Sequence, residues 1–201
     1  MSIPGTFGSD LPVDEEVTDP LDLLGRWLAY ANTPEHPLAT LSTVGLDGYP
    51  DARNLLASAY DGGRIHFHTD ATSRKAAELT ATPRATMTFV WPDAGRQVVV
   101  TGDVARETEA EAAAAYRERS RYLQVLAWAN TDALAAEPTD ARRARWAEVD
   151  ARGQLDPPPT WTGFALTPLR IVFWRADPDG PSNRVLCERT ADGWDVTRRA
   201  G

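Results

Sequence analysis

Cysteine, lysine and histidine are scarce in this chain, and each scarcity closes a class of chemistry. Cys187 is the only cysteine among 201 residues, so no intrachain disulfide and no thiolate metal cluster can form. The histidines are His36, His66 and His68. His66 and His68 lie two apart and would share one face of a strand. They lack further ligands at zinc spacing, and no metal site is expected. A basic surface is also missing. The formal net charge is −8, which argues against nucleic acid as a partner but leaves room for a local pocket that binds a small anion. No stretch reaches membrane-spanning length. The acidic segment from Met1 to Glu16 has no apolar run of the signal-peptide kind. A cytoplasmic protein with no membrane contact is the expectation.

Lysine is the sharpest scarcity. Of 21 basic residues, Lys75 alone is a lysine. An arginine-rich genome accounts for the arginines, but not for the compact ammonium kept at position 75.

What is present is enough for a core, with 42% hydrophobic residues. Residues 1–18 are rich in Gly, Pro and acid and read as a mobile arm. Residues 19–201 read as one domain with a helical insertion around 107–151. Asp19-Pro20 is a helix start, and Leu21, Leu24, Trp27, Leu28 and Ala31 fall on one side of the helix. Strands are expected at Leu38–Val44, Ala52–Tyr60 and Arg64–Thr69, joined by Gly-containing turns. A short helix follows from Ser73 to Leu79. Ala85–Trp91 and Gln97–Ala105 form a hairpin. Helix is expected over Glu109–Arg119, on through Trp128, and again over Asp140–Val149. Thr162–Leu166, Arg170–Trp174, Arg184–Arg189 and Trp194–Thr197 read as further strands. Many short strands with late helices make a mainly β, α+β chain, and suggest a small antiparallel barrel.

Two places could carry chemistry. Ser73-Arg74-Lys75 follows a strand and opens a helix. Such a junction offers unpaired backbone N–H groups and the positive end of the helix dipole. Arg74 adds a fork of donors and Lys75 a point charge, a set that suits a phosphate. A solvated helix start would look the same in isolation. Arg53 lies in the otherwise small or apolar run Arg53-Asn54-Leu55-Leu56-Ala57-Ser58, so it must reach solvent or meet an anion. Gln97 offers a donor and an acceptor, which suits the edge of a flavin ring.

These stretches carry a resemblance. With Phe67-His68-Thr69, Pro83-Arg84, Phe89-Val90-Trp91, Arg96-Gln97-Val98, Ala127-Trp128, Trp161-Thr162-Gly163-Phe164, Phe173-Trp174, Arg184 and Trp194, the chain resembles the pyridoxamine 5′-phosphate oxidase family. The set runs in family order over roughly residues 19–199. The resemblance implies an antiparallel, Greek-key-like split β-barrel and a homodimer with FMN in a cleft between subunits. It implies that Arg53, Ser73, Arg74 and Lys75 hold the FMN phosphate. Asn54, Leu55, Leu56, Ser58, His68 and Thr69 would line the cofactor, with His68 where the family usually has Tyr. Gln97 would face the isoalloxazine, and Trp174 and Arg184 would come from the partner subunit.

The departures fall on the substrate side. Ser58 stands where the family has a lysine for the substrate phosphate. Gly180 and Ser182 stand at the family's Arg-x-His. Tyr116 is kept, but Arg119 and Arg121 are out of register with the family's nearby basic residue. Asp132-Ala133 replaces a Gln-Ser pair. Charge-assisted bonds to phosphate are worth about 1.5–3 kcal/mol each, so losing two or three would cost orders of magnitude in affinity. The expectation is an FMN-dependent oxidoreductase acting on a less anionic small molecule, with Ser58, Tyr116, Gly180 and Ser182 at the rim and no assigned catalytic residue. The alternatives are a genuine pyridoxine phosphate oxidase with a rebuilt site, a non-catalytic flavin-binding module, and a deazaflavin in place of FMN.

Overall fold

The structure is a computed structural model and describes residues 17–30 and 37–201. Most of the expected arm, and the expected helix end at Ala31, lie outside the described residues. The first helix, α1 (Pro20–Tyr30), starts as its sequence dictates. The Asp19 carboxylate accepts the backbone N–H of Leu21 at 2.9 Å and of Asp22 at 3.3 Å, satisfying donors that the helix itself cannot. Its apolar face buries Leu24, Trp27 and Leu28. The Trp27 ring meets Phe173 edge-on at 5.2 Å.

Among the described residues, nine antiparallel strands follow or interleave with five further helices. They are β1 (Leu38–Val44), β2 (Pro50–Leu56), β3 (Ala59–Tyr60), β4 (Ile65–Asp70), β5 (Arg84–Trp91), β6 (Arg96–Arg106), β7 (Trp161–Arg175), β8 (Asn183–Arg189) and β9 (Trp194–Arg199). The helices are α2 (Arg74–Ala81), α3 (Glu109–Arg117), α4 (Arg121–Ala129), α5 (Asp132–Ala135) and α6 (Thr139–Asp150). Period-two alternation turns Leu41, Met87, Phe89, Val98 and Val100 inward. Fully burying one such side chain stabilises the fold by about 1.5–3 kcal/mol. A second, smaller core of Tyr116, Val125, Val149 and Leu155 holds the helical insertion together.

The strand order is β2-β1-β5-β6-β7-β4-β3. Its two ends, β2 and β3, are neighbours in sequence, separated only by Ala57 and Ser58. The sheet must therefore curl until its ends meet. The Ala57 N–H bonds to the Pro37 carbonyl at 2.9 Å and the Ser58 N–H to the His66 carbonyl at 2.8 Å. The expected strand Ala52–Tyr60 is thus two strands with a joint between them.

A second correction concerns the tail. Thr162–Leu166 and Arg170–Trp174 are parts of one continuous strand, β7. Its first half pairs with β4 and its second with β8, while β6 runs along its other side. Pro168 is tolerated because it sits at this fork, where the register shifts opposite Thr101 and Gly102. Gly102 is needed there, since a Cβ would collide with the Thr167 carbonyl oxygen. The helix expected to run on from Glu109 to Trp128 breaks into α3 and α4, and α5 was not foreseen.

One ion network ties α2 to the sheet. Glu78 has a fully covered side chain. It accepts from Thr43 at 2.6 Å, from Arg53 at 2.8 Å and from Arg74 at 2.8 Å. Burial alone would raise its carboxyl, but these bonds outweigh burial and hold it at about 2. The group is covered by its partners rather than deep in the core. Replacing Glu78 by Gln is therefore expected to cost about 1–3 kcal/mol of unfolding free energy at neutral pH. The wild-type contribution is complete above the ordinary value of 4.5 and is lost as pH falls towards about 2. Denaturant titrations across that window should show a steeper acid loss in the wild type than in Glu78→Gln, and identical profiles would refute the assignment.

Candidate functional site

A cavity of about 530 Å³ opens between β2, β4, the start of α2 and the inserted helices. The sheet side brings together Arg53, Asn54, Leu55, Leu56, His68 and Thr69, with Ser73 and Lys75 at the helix start. All of these were expected from the sequence. The opposite wall comes from α4, α5 and the segment around Thr160 and Trp161.

The turn into α2 is shaped by Asp70. Its carboxylate accepts the Thr72 N–H at 2.7 Å, the Thr72 hydroxyl at 2.6 Å and the Thr160 hydroxyl at 2.7 Å. Burial pushes the Asp70 carboxyl up, but these bonds outweigh it and hold the group below its ordinary value. Ser73 is the N-cap residue, yet its side chain makes no capping bond; its own N–H goes to the Asp70 carbonyl and its carbonyl accepts the Ala76 N–H at 3.0 Å, so the N–H groups of Arg74 and Lys75 are those that could meet a ligand. Lys75 donates to the Thr69 hydroxyl at 3.1 Å. Burial, then the nearby Arg53, lowers its proton affinity. Hydroxyl, ammonium and helix N–H groups on one wall form a donor set that fits a phosphate monoester.

Arg74 does not line the cavity. Its guanidinium points to Glu78 at 2.8 Å and Asp51 at 3.0 Å. Arg53 does line it, but is paired with Glu78 at 2.8 Å and Asp51 at 3.0 Å. Gln97, Trp174 and Arg184 sit abreast on β6, β7 and β8, in register and outside the cavity. Ser58, Gly180 and Ser182 are outside it as well. Tyr116 is fully buried and its hydroxyl donates to the Gln124 carbonyl at 3.1 Å.

The far wall brings together residues whose meeting the sequence did not show. Arg119 lies over the Trp161 ring, 4.8 Å from its centroid. Its buried Nε meets no hydrogen-bond partner, and among the described residues no carboxylate pairs with it. Burial lowers its proton affinity. The His68 ring stacks on Trp161 at 5.2 Å, nearly parallel. Asp132 joins the lining beside Thr131. The loop run Asp70-x-Thr72-Ser73 carried a readable signal, that of an Asx turn. In the sequence Arg119 stands as an arginine out of register and Trp161 as part of a matched stretch, but nothing there signals that they meet, because 42 positions of chain separate them.

Comparison with known proteins gives the lineage. A profile described as pyridoxamine 5′-phosphate oxidase matches residues 29–173. A second, described as the pyridoxine 5′-phosphate oxidase C-terminal dimerisation region, matches residues 161–200. A protein of Caulobacter vibrioides named pyridoxine/pyridoxamine 5′-phosphate oxidase is 37% identical over 186 residues, covering 90% of this chain and 84% of its own. One of the same name from Azorhizobium caulinodans is 40% identical over 192 residues, covering 92% and 89%. Among solved structures, PhzG of Burkholderia lata in complex with tetrahydrophenazine-1-carboxylic acid superposes with a TM-score of 0.82 at 30% identity, covering 96% of this chain and 95% of that one. An FMN-binding, oxidase-related protein of Nostoc punctiforme shares the fold, with a TM-score of 0.72 at 18% identity over 91% and 98% of the two chains. The split-barrel resemblance read in the sequence is therefore real, and the chain belongs to the pyridoxamine 5′-phosphate oxidase family.

Proposed function

We propose that this protein is an FMN-dependent oxidoreductase whose substrate carries less negative charge than pyridoxine 5′-phosphate. The observation that carries the reading is the wall on which Ser73, Lys75 and the opening of α2 converge beside Arg53. That wall would hold the FMN phosphate. Thr69 would steady the Lys75 ammonium, and the Glu78 network would fix Arg53 and the helix. FMN supplies two-electron chemistry at its ring, and the protein supplies orientation and a cavity shielded from water. Gln97, Trp174 and Arg184 stand together away from this wall. In a homodimer they would complete the cleft from the second subunit, in keeping with the match to a dimerisation region.

Charge sets the substrate class. The cations of the lining are Arg53, Lys75 and Arg119, and the acids are Asp70 and Asp132. Arg53 is committed to Glu78 and Asp51, and Lys75 belongs to the cofactor phosphate. Arg119 is left for the substrate. A single stacked guanidinium suits one carboxylate on a planar ring better than a second phosphate dianion. The Burkholderia structure, with its tricyclic carboxylic acid, supports this direction. A second reading, a genuine pyridoxine phosphate oxidase, is favoured by the names of the Caulobacter and Azorhizobium relatives.

Flavin uptake and substrate preference are both measurable. The purified protein should take up FMN, with absorbance bands near roughly 375 and 450 nm. Lys75→Met should weaken that binding by about tenfold to a hundredfold; unchanged affinity would remove Lys75 from the phosphate site. In turnover assays an aromatic monocarboxylic acid should outperform pyridoxamine 5′-phosphate. Arg119→Met should raise KM for the acid about tenfold or more while kcat changes little. Robust turnover of pyridoxamine 5′-phosphate at micromolar concentration would establish the second reading instead.

A further inference from the structure

In and behind the cavity wall lies a set of polar side chains, His68 among them, to which the proposed function gives no chemical role. Glu107, between β6 and α3, is almost fully buried, with a side-chain exposure of 5%. Each of its oxygens faces an imidazole of β4. Oε1 is 2.6 Å from His66 Nδ1, and Oε2 is 2.9 Å from His68 Nε2, a close charge contact that is not aligned as a hydrogen bond and in which neither atom has another partner. Burial pushes this carboxyl up, but the two histidines outweigh burial and hold it below the ordinary value, so it stands as an anion. Room for it is built in. Gly163 pairs with His68 across β4 and β7, and a Cβ there would collide with Glu107 Oε2 and come within 2.9 Å of His68 Cδ2. The Glu107 N–H bonds back to the Gly163 carbonyl at 3.0 Å.

The other side of the His68 ring meets Ser58. Its hydroxyl oxygen lies 2.7 Å from His68 Nδ1 and 3.1 Å from the His66 carbonyl oxygen. Two hydrogen-bond patterns satisfy the Ser58 hydroxyl and His68 Nδ1 without any movement of heavy atoms. With His68 neutral, Nε2–H faces Glu107 and the Ser58 hydroxyl donates to Nδ1. With a proton on Nδ1, that N–H donates to the Ser58 oxygen, and the Ser58 hydroxyl turns to the His66 carbonyl. Rotating one hydroxyl therefore accommodates either state, and the anion of Glu107 offsets the added charge.

We propose that His68 is a proton-exchanging group in the wall of this cavity, with Glu107 as the residue that fixes its tautomer and balances its charge. The proposal rests on reading the cavity as the flavin and substrate site, where cofactor reduction and reoxidation change the local charge. The proton binds at the Nδ1 lone pair, comes from solvent and returns to it, and no bond other than N–H is made or broken. The charged groups around His68 are Glu107 and, next to it, Glu111 on α3. His66 stands on the same strand as His68, backed at 3.1 Å by Asp61, which also pairs with Arg64. Arg119 lies on the Trp161 ring that His68 also stacks against.

The imidazole nitrogens of ¹⁵N-labelled protein, followed by NMR from about pH 5 to about pH 9, test this with and without FMN. His68 should carry its proton on Nε2 when neutral and gain one on Nδ1 as the pH falls. Glu107→Gln should move neutral His68 away from the Nε2–H tautomer. Gly163→Ala, which displaces the Glu107 carboxylate without removing its charge, should shift it in the same direction. A single protonation state throughout, or the same tautomer of neutral His68 in wild type and the folded variants, would overturn the proposal. Absence of flavin uptake would sink the cofactor reading alone, because the titration needs no ligand.

Discussion

Two residues, Ala57 and Ser58, join the opposite ends of a seven-strand path. That covalent constraint organises most of the molecule. A sheet whose first and last strands are adjacent in sequence cannot stay open, and its inward faces become one core. The joint also sets side chains. It brings Arg53 and Leu56 of β2 to the same cavity as His68 and Thr69 of β4. It places Ser58 against the His68 ring. The fork in β7 does the complementary work at the other edge, giving one half of the strand to the barrel and the other to the β8–β9 hairpin.

Within this frame the cations are not equivalent. Arg53 and Arg74 share Glu78 and Asp51, and their positive charge is largely used to hold α2 on the sheet. Lys75 sits one residue on from Arg74, turns into the cavity and meets a hydroxyl rather than a carboxylate. Arg119 is supported by an aromatic face instead of an acid. The difference between a cation committed to the fold and one available to a ligand here is the identity of its nearest partner.

Much of this was legible in the sequence where the governing interactions are local. The Asp19-Pro20 start of α1 and the β5–β6 hairpin follow from capping and alternation. The strand–turn–helix at Ser73 follows from the same rules. Pro168 hid the continuity of β7, because a proline inside a strand reads as an end unless the register shift opposite Gly102 is known. The unbroken small and apolar run through Ala57 hid the joint. At the site, Lys75, Ser73, Arg53 and His68 were visible as residues that suit an anion or a ring. The pairing of Glu107 with His66 and His68 was not, since 41 positions separate Glu107 from His66 and only the packing of β6 and β7 beside β4 brings them together.

The central claim is that the wall formed by Ser73, Lys75 and the first turn of α2 is a phosphate site for FMN. A crystal structure of the protein grown with FMN tests it most directly. The account predicts the FMN phosphate within hydrogen-bonding distance of Lys75 Nζ, the Ser73 hydroxyl and the opening N–H groups of α2. A flavin phosphate seated anywhere else, with Lys75 still bonded only to Thr69, would contradict it.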